Sequence, residues 1–282
     1  MKRFTKIFLT LLFVAISFIS CNDNKDYTPP SAVETTFSKT FAGATNLYWL
    51  NYGIYQLALF NDSTGSYTNA YFNNNGLLML TQSDIASSQV PSAVSSALSS
   101  STYASWEILS ETLLSRVNMD DLYVYSVTSG DETFMLYYTE DGTLDMQLVG
   151  GLAYNSASNI PYSIVASINA SYPYGLIIDS RHLTSGNLEV EMLSVDVVKI
   201  VSFNGSLAWM YTYWQIPEDD VPTVVMNAVD SSEYSSYTIS KVLAMELPQS
   251  VSYYQFTLTS SGNPSATLNV NALGQVVTQS ME

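Results

Sequence analysis

Cysteine occurs once in this 282-residue chain, at Cys21, and histidine once, at His182. A single thiol forms no internal disulfide, so an apolar core must hold the fold, and a lone histidine without cysteines cannot complete a tetrahedral zinc site. Basic residues are scarce as well: nine Lys and Arg stand against 25 Asp and Glu, for a net charge of −16. Such a surface repels phosphate backbones and anionic headgroups, which excludes nucleic acid as an expected partner and leaves a basic protein or a cationic ligand open. No apolar run reaches the ~20 residues that cross a bilayer. A Gly-x-Ser-x-Gly elbow, a glycine-rich phosphate loop, a dinucleotide fingerprint and an EF-hand loop are all missing. No cofactor, no metal and no catalytic residue is therefore expected.

The carboxylate pairs that do occur have structural explanations. Asp120-Asp121 and Glu140-Asp141 fall where turns are expected, and Glu218-Asp219-Asp220 precede a helix start, where the helix dipole favours negative charge. A glycosidase would instead hold two carboxyl groups ~5 to 9 Å apart across a site. His182, beside Arg181, reads as an ordinary strand residue.

The first residues carry a distinct signal. Lys2, Arg3 and Lys6 form a basic start, Ile7 to Ile19 is nearly all apolar, and Cys21 comes directly after. Residues 1–21 read as a bacterial lipoprotein signal, with Cys21 lipidated and the chain anchored to the outer membrane, facing the periplasm or the cell surface. Residues 22–30, charged and ending in Pro29-Pro30, read as a flexible tether.

The remainder is rich in strand formers, including 21 tyrosines, and it repeats. Pro30, Pro91, Pro161 and Pro222 recur roughly every 60 to 70 residues. Three residues after each stands Val33, Val94, Ile164 or Val225, and seven after it Phe37, Leu98, Ile168 or Val229. That spacing puts both on one face of a helix that proline can open. Phe41, Tyr103, Tyr172 and Tyr234 mark where each helix stops. Strand-like runs come next, closed by Asn75-Gly76, Asp141-Gly142, Asn204-Gly205 and Leu273-Gly274; the Asn-Gly and Asp-Gly pairs predict type I′ hairpins. The expected fold class is α+β: four tandem units, each a helix plus a four-stranded antiparallel meander, grouped as two double units over 31–160 and 161–282.

The pattern Phe37-Ser-Lys-Thr-Phe41-Ala-Gly-Ala44, then Tyr48-Trp49, Tyr55, Tyr71-Phe72, Asn75-Gly76 and Pro91-Ser-Ala-Val94 resembles the PepSY-like, beta-lactamase-inhibitor-like domains of Bacteroidota envelope proteins. The resemblance implies a helix on one face of an antiparallel sheet, in tandem units. It supplies no catalytic motif to carry over.

A sheet covered on one side alternates core and solvent residues. Leu78, Leu144, Leu207 and Val276, two after each turn glycine, predict the core parity, continued by Leu80, Met146, Trp209 and Thr278, so Trp209 and Tyr211 read as packing residues rather than a ligand platform. The other face is then open, presenting Tyr67, Asn69, Tyr71, Tyr137 and Tyr253. Exposed tyrosines supply rigid contact area, so Tyr67, Tyr71, Tyr137 and Tyr253 are the candidate binding residues, although the same rings could instead pack between units. The expected function is a non-catalytic envelope binding module for a protein, peptide or glycan, using sheet faces and the cleft between units. Alternatives are an inhibitor of an envelope hydrolase, with an acidic loop at Asp120-Asp121 as its plug, and a passive scaffold. Strand edges leave room for a homodimer.

Overall fold

The structure, a computed structural model, describes residues 27–248, 252–261 and 263–277. The leader, Cys21 and the final expected strand residues Thr278 and Gln279 lie outside the described residues. So does most of the expected tether, but its end is not free: Pro29 is buried and the Tyr27 hydroxyl donates to Gln56 Oε1 at 2.6 Å.

Each helix is followed by antiparallel strands. The order is α1 (Ser31–Thr40), β1 (Thr45–Tyr52), β2 (Tyr55–Asn61), β3 (Tyr67–Asn73), β4 (Leu78–Asp84), α2 (Ser92–Ser99), β5 (Glu107–Arg116), β6 (Met119–Ser129), β7 (Glu132–Tyr138) and β8 (Leu144–Val149). It continues with α3 (Tyr162–Ser171), β9 (Leu176–His182), β10 (Leu188–Ser194), β11 (Val197–Phe203), β12 (Trp209–Gln215), α4 (Thr223–Asp230), β13 (Thr238–Glu246), β14 (Tyr253–Ser260) and β15 (Asn263–Asn271). Strands β1 to β8 form one eight-stranded sheet and β9 to β15 a seven-stranded one, each in sequential order. Pairing of β4 with β5, and of β12 with β13, continues each sheet past the intervening helix.

The proline spacing finds its counterpart in the helices. Pro30, Pro91, Pro161 and Pro222 each sit just before the first helical residue, with φ between −54° and −57°. At that position the missing N–H costs no helical bond. The buried residues of the four helices are Val33 and Phe37, Val94 and Leu98, Ile164 and Ile168, Val225 and Val229. These eight seat each helix in its own apolar cluster on a sheet; Phe37 and Val33, for example, meet Ala58, Phe60, Ala70 and Phe72 of β2 and β3. Small and large residues alternate there, so the Phe37 ring lies edge-on to Phe60 with centroids 5.0 Å apart. Burying such a side chain stabilises by ~1.5 to 3 kcal/mol.

The hairpin turns differ from the expected type. In the turn after β3, Asn73 N–H bonds Leu77 C=O at 3.0 Å and Gly76 N–H bonds Asn73 C=O at 3.0 Å. Glycine alone has positive φ there, at +85° for Gly76 and +84° for Gly142, so this is a three-residue loop with a left-handed glycine rather than type I′. In the third meander the equivalent bonds run from Asn204 N–H to Ala208 C=O and from Leu207 N–H to Asn204 C=O. Leu207, with φ +62°, therefore occupies the left-handed position, and Gly205 does not.

This shift, with a β-bulge, overturns the expected parity. The register slips between Tyr71 and Phe72, between Tyr137 and Tyr138, and between Ser202 and Phe203. Each bulge inserts one residue into the following strand and reverses which face comes next. Leu78 and Trp209 thus pack beneath α1 and α3, while Leu80 points the opposite way and Tyr211 lines a cleft. Leu144, Leu207 and Val276, expected in the core, are 43%, 44% and 53% exposed.

The second face of the first sheet is not open. Tyr55, Leu57, Tyr71, Leu80, Leu114, Leu122, Met135 and Tyr137 join Leu176, Ile178, Leu193 and Val198 of the second sheet in one buried cluster. The layers therefore run helix, sheet, sheet, helix, and the two sheets meet inner face to inner face. The expectation that the tyrosine face meets solvent is corrected accordingly: Tyr71, Tyr137 and Tyr253 are buried and Tyr67 is half-buried.

Candidate binding cleft between the sheets

Strands β9 and β10 carry an alternating charge pattern onto this inner face. Glu189 pairs across the ladder with Arg181, and Glu191 with Asp179. All four are buried, which is costly unless charges are matched. Glu191 supplies the match: one carboxylate oxygen accepts from Arg181, and the other lies 3.4 Å from Arg116 Nη1, at the end of β5 in the opposite sheet. Burial alone would raise the Glu191 carboxyl, but Arg181 and Arg116 hold it below its ordinary value. The Arg116 Nη2 group also donates to Asp120 C=O at 3.3 Å.

Asp179 has no comparable partner. Its carboxylate accepts the Ser180 N–H at 2.8 Å, and burial, reinforced by Glu191 and only partly offset by Arg181, pushes it up to about 8. Glu189 is raised for the same first reason. The Arg181 guanidinium lies 5.8 Å from the centroid of the Tyr137 ring, and burial drives the Tyr137 hydroxyl well above its usual range.

On one side of this cluster the sheets part to leave a cleft of about 560 Å³. Its floor is the inner face of the first sheet, where the ladder sets Asp84, Thr112, Val124 and Tyr137 in one cross-strand row over β4 to β7, with Asn69 and Gln82 in the next. Asp179 closes it from the second sheet. Burial raises the Asp84 carboxyl. Asn69 is 4% exposed and its Oδ1 has no hydrogen-bond partner. A smaller cleft of about 220 Å³ opens on the other side, between Arg116, Asp145, Glu189, Tyr211 and Lys241.

Two of the four candidate tyrosines, Tyr67 and Tyr137, come together in the larger cleft. Tyr71 lies in the buried cluster between the sheets and Tyr253 on β14, so neither joins them there. Asp179, Asp84 and the Arg116–Glu191–Arg181 cluster were not singled out by motif. Their signal was available in the sequence: charges at alternate positions, Asp179 with Arg181 and Glu189 with Glu191, on two successive strands that also carry apolar residues such as Ile178, Val190 and Met192. Asp120 and Asp121, expected in a loop, belong to the start of β6, and the Asp120 carboxylate pairs with Lys241 at 3.0 Å. His182 ends β9 with its ring 4.3 Å from that of Tyr154. Among the described residues no helix is long and apolar enough to cross a membrane.

Comparison with known proteins extends this geometry. Curated proteins yield no match. Among solved structures, the chain is similar to a BLIP-like protein from Bacteroides fragilis, at 26% identity over 46% of this chain and 93% of that one, with a TM-score of 0.41. It is similar also to a DUF2874 family protein from Bacteroides ovatus, at 25% identity over 48% of this chain and 98% of that one, TM-score 0.41. Both relatives thus match about half of this chain. The profile of the beta-lactamase-inhibitor-like, PepSY-like family matches twice, over residues 54–145 and 187–276, once within each sheet. With two such matches covering more than half of its length, the chain belongs to the PepSY-like, beta-lactamase-inhibitor-like family.

Proposed function

We propose that this protein is a non-catalytic binding module of the cell envelope that holds a protein, peptide or glycan in the cleft between its sheets. The observation that carries the reading is the cleft itself: about 560 Å³, walled by apolar side chains, with a few convergent polar groups from both sheets. Membership of an inhibitor-like family supports a binding role over a catalytic one. In this reading the chain is four helix-plus-meander units in two double units, 31–160 and 161–282. Lipid on Cys21 ties it to the outer membrane, and the edge strand β1 is the surface for a homodimer.

The family's description favours a second reading, inhibition of an envelope hydrolase. Its plug would differ from the one expected, because Asp120 already pairs with Lys241.

Filling the cleft tests the first reading. Thr112 lines it from β5, and Thr112→Trp places an indole in the space a ligand needs. With the full chain as bait in envelope extract, the substitution is expected to abolish capture of the partner and leave the thermal midpoint unchanged. Capture that survives a filled cleft contradicts the reading. Loss of inhibition in a panel of envelope hydrolases, if the wild type slows one of them, selects the second reading.

A further inference from the structure

We infer that the end of the two-sheet stack bearing Ile54, Leu77, Val195 and Tyr174 rests on a neutral lipid surface, the one that holds the chain through Cys21. This rests on the lipid anchor of the reading above and adds a second contact with the membrane.

Turns from both sheets meet at this end. The Asn74 N–H donates to Ile54 C=O at 3.0 Å, which sets the β1–β2 turn beside the β3–β4 turn that holds Leu77. The β10–β11 turn docks against them, since Val195 N–H donates to the Tyr55 hydroxyl oxygen and Asn73 Nδ2 to Asp196 Oδ1. Tyr174 lies two residues before Leu176, whose ladder partner Leu193 lies two before Val195, so it belongs to the same end. All four side chains are exposed. Residues 53–54, 74–77 and 195–196 include no Lys or Arg, and their one acid, Asp196, already accepts from Asn73. Contact here is therefore apolar and does not call for anionic headgroups. The patch also has a border, because the start of β6 and the β7–β8 turn, farther along the same end of the first sheet, bring Asp120, Asp121, Glu140 and Asp141.

Two observations say what covers the patch. The first is where the chain outside the described residues joins it. Tyr27, with its hydroxyl on Gln56 Oε1, is tied through Gln56 Nε2 to Asn74 Oδ1 at 2.9 Å, so the chain enters at this same end. Cys21 precedes Tyr27 by six residues, a stretch that spans at most about 20 Å. An acyl group on Cys21 thus holds this end close to the bilayer, where the high local concentration of lipid favours even a weak apolar contact. The second is Val195, which is 55% exposed at φ +58°. A β-branched side chain is strained there, the protein's own core does not offset that strain, and a lipid surface would bury the side chain.

The consequence is an orientation. Asn61, Tyr67 and Asp84, which line the larger cleft, stand at the opposite ends of β2, β3 and β4, about 20 Å along β2 from Tyr55. The cleft is presented away from the lipid.

The test uses the full chain, made with its leader in a bacterial envelope and reconstituted into phosphatidylcholine vesicles whose acyl chains carry a nitroxide quencher. With Cys21 acylated the chain has no free thiol, so single cysteines placed by mutation take an environment-sensitive dye. The dye at Val195→Cys is expected to shift to the blue and be quenched, and the dye at Ser63→Cys, in the β2–β3 turn at the far end, to do neither. Ile54→Ser with Leu77→Ser should reduce the quenching at position 195 by about threefold or more. Tyr174→Cys repeats the measurement with Val195 intact, and a thermal melt of each variant checks the fold. Dyes equally wet at both ends, or equally immersed, overturn the inference while the anchor stands. A wild-type chain that takes the dye has a free Cys21 thiol, and then the anchor falls and the inference with it.

Discussion

Tyr55 accepts the backbone N–H of Val195 on its phenolic oxygen at 2.6 Å, joining β2 of the first sheet to the β10–β11 turn of the second across 140 residues of sequence. Beside it, Asn73 Nδ2 donates to Asp196 Oδ1 at 2.6 Å. Val195 has φ +58°, at a two-residue turn position where glycine is the usual occupant. A β-branched residue is held there while the turn docks on the opposite sheet. Tyr55→Phe is expected to lower stability by ~1 to 2 kcal/mol by orphaning that N–H, and Val195→Gly to raise it by up to ~1 kcal/mol by removing backbone strain. Urea midpoints of the two variants check both signs.

The inner-face tyrosines behave as core. Tyr71 and Tyr137 are 4% and 2% exposed, so Tyr71→Ser or Tyr137→Ser should cost ~3 to 5 kcal/mol, whereas the phenylalanine replacements keep the ring and cost far less. Thermal melts of the serine and phenylalanine variants decide this. Had these rings been an open recognition face, serine would leave the melt unaltered.

The turn glycines separate two causes of glycine's necessity. A Cβ at Gly142 would sit 2.6 Å from the Ala93 carbonyl oxygen, while one at Gly130, with φ +62°, would meet nothing within 4 Å. Gly130→Ala should therefore cost only the ~1 kcal/mol of left-handed strain, and Gly142→Ala clearly more, because the start of α2 must also move. Leu207→Gly is expected to stabilise by ~1 kcal/mol or less, since its strain is relieved and its side chain is already 44% exposed. Denaturant midpoints at constant m-value check all three.

Asp179 makes stability depend on pH. Its carboxyl rises from an ordinary value near 3.8 to about 8 on folding, so the native state retains a proton that the unfolded chain has released. Stability contributed by this group therefore falls as pH climbs from ~4 to ~8 and levels above that. Asp179→Asn removes this slope. Its gain over wild type should be larger at pH 8 than at pH 5, as read from unfolding free energies at the two values. Equal differences at both pH values would mean the carboxyl is not desolvated.

Helix positions and faces were legible because they depend on local spacing: proline before the first turn, then apolar residues three and seven later, point one way whatever packs against them. Leu207 shows where local reading stops. The left-handed site in the third meander is held by leucine rather than the nearby Gly205, and only the hydrogen-bond pattern reveals it. The bulges near Met79, Asp145 and Met210 leave no strong residue signature, yet each reverses the parity of the strand beyond it. The inner face was misread for another reason. Asp179, Arg181, Glu189 and Glu191 have the polarity of a solvated surface, and the charge that matches Glu191 from outside its own sheet, Arg116, stands 75 residues away in sequence. Tyr67 and Tyr137 were legible as residues of one sheet face, and both line the cleft; Asp84 and Asp179, which line it with them, were not singled out.

The face-to-face packing of the sheets underlies both the buried tyrosines and the cleft, and Arg116 with Glu191 reports on it most directly, being 3.4 Å apart yet on different sheets. A double-mutant cycle with Arg116→Met and Glu191→Gln, read by urea unfolding of the full chain, measures their coupling free of each residue's separate effects. Each single substitution is expected to be destabilising, with a coupling free energy above ~1 kcal/mol between the two. Additive effects, with coupling indistinguishable from zero, would contradict the packed sheets and with them the cleft.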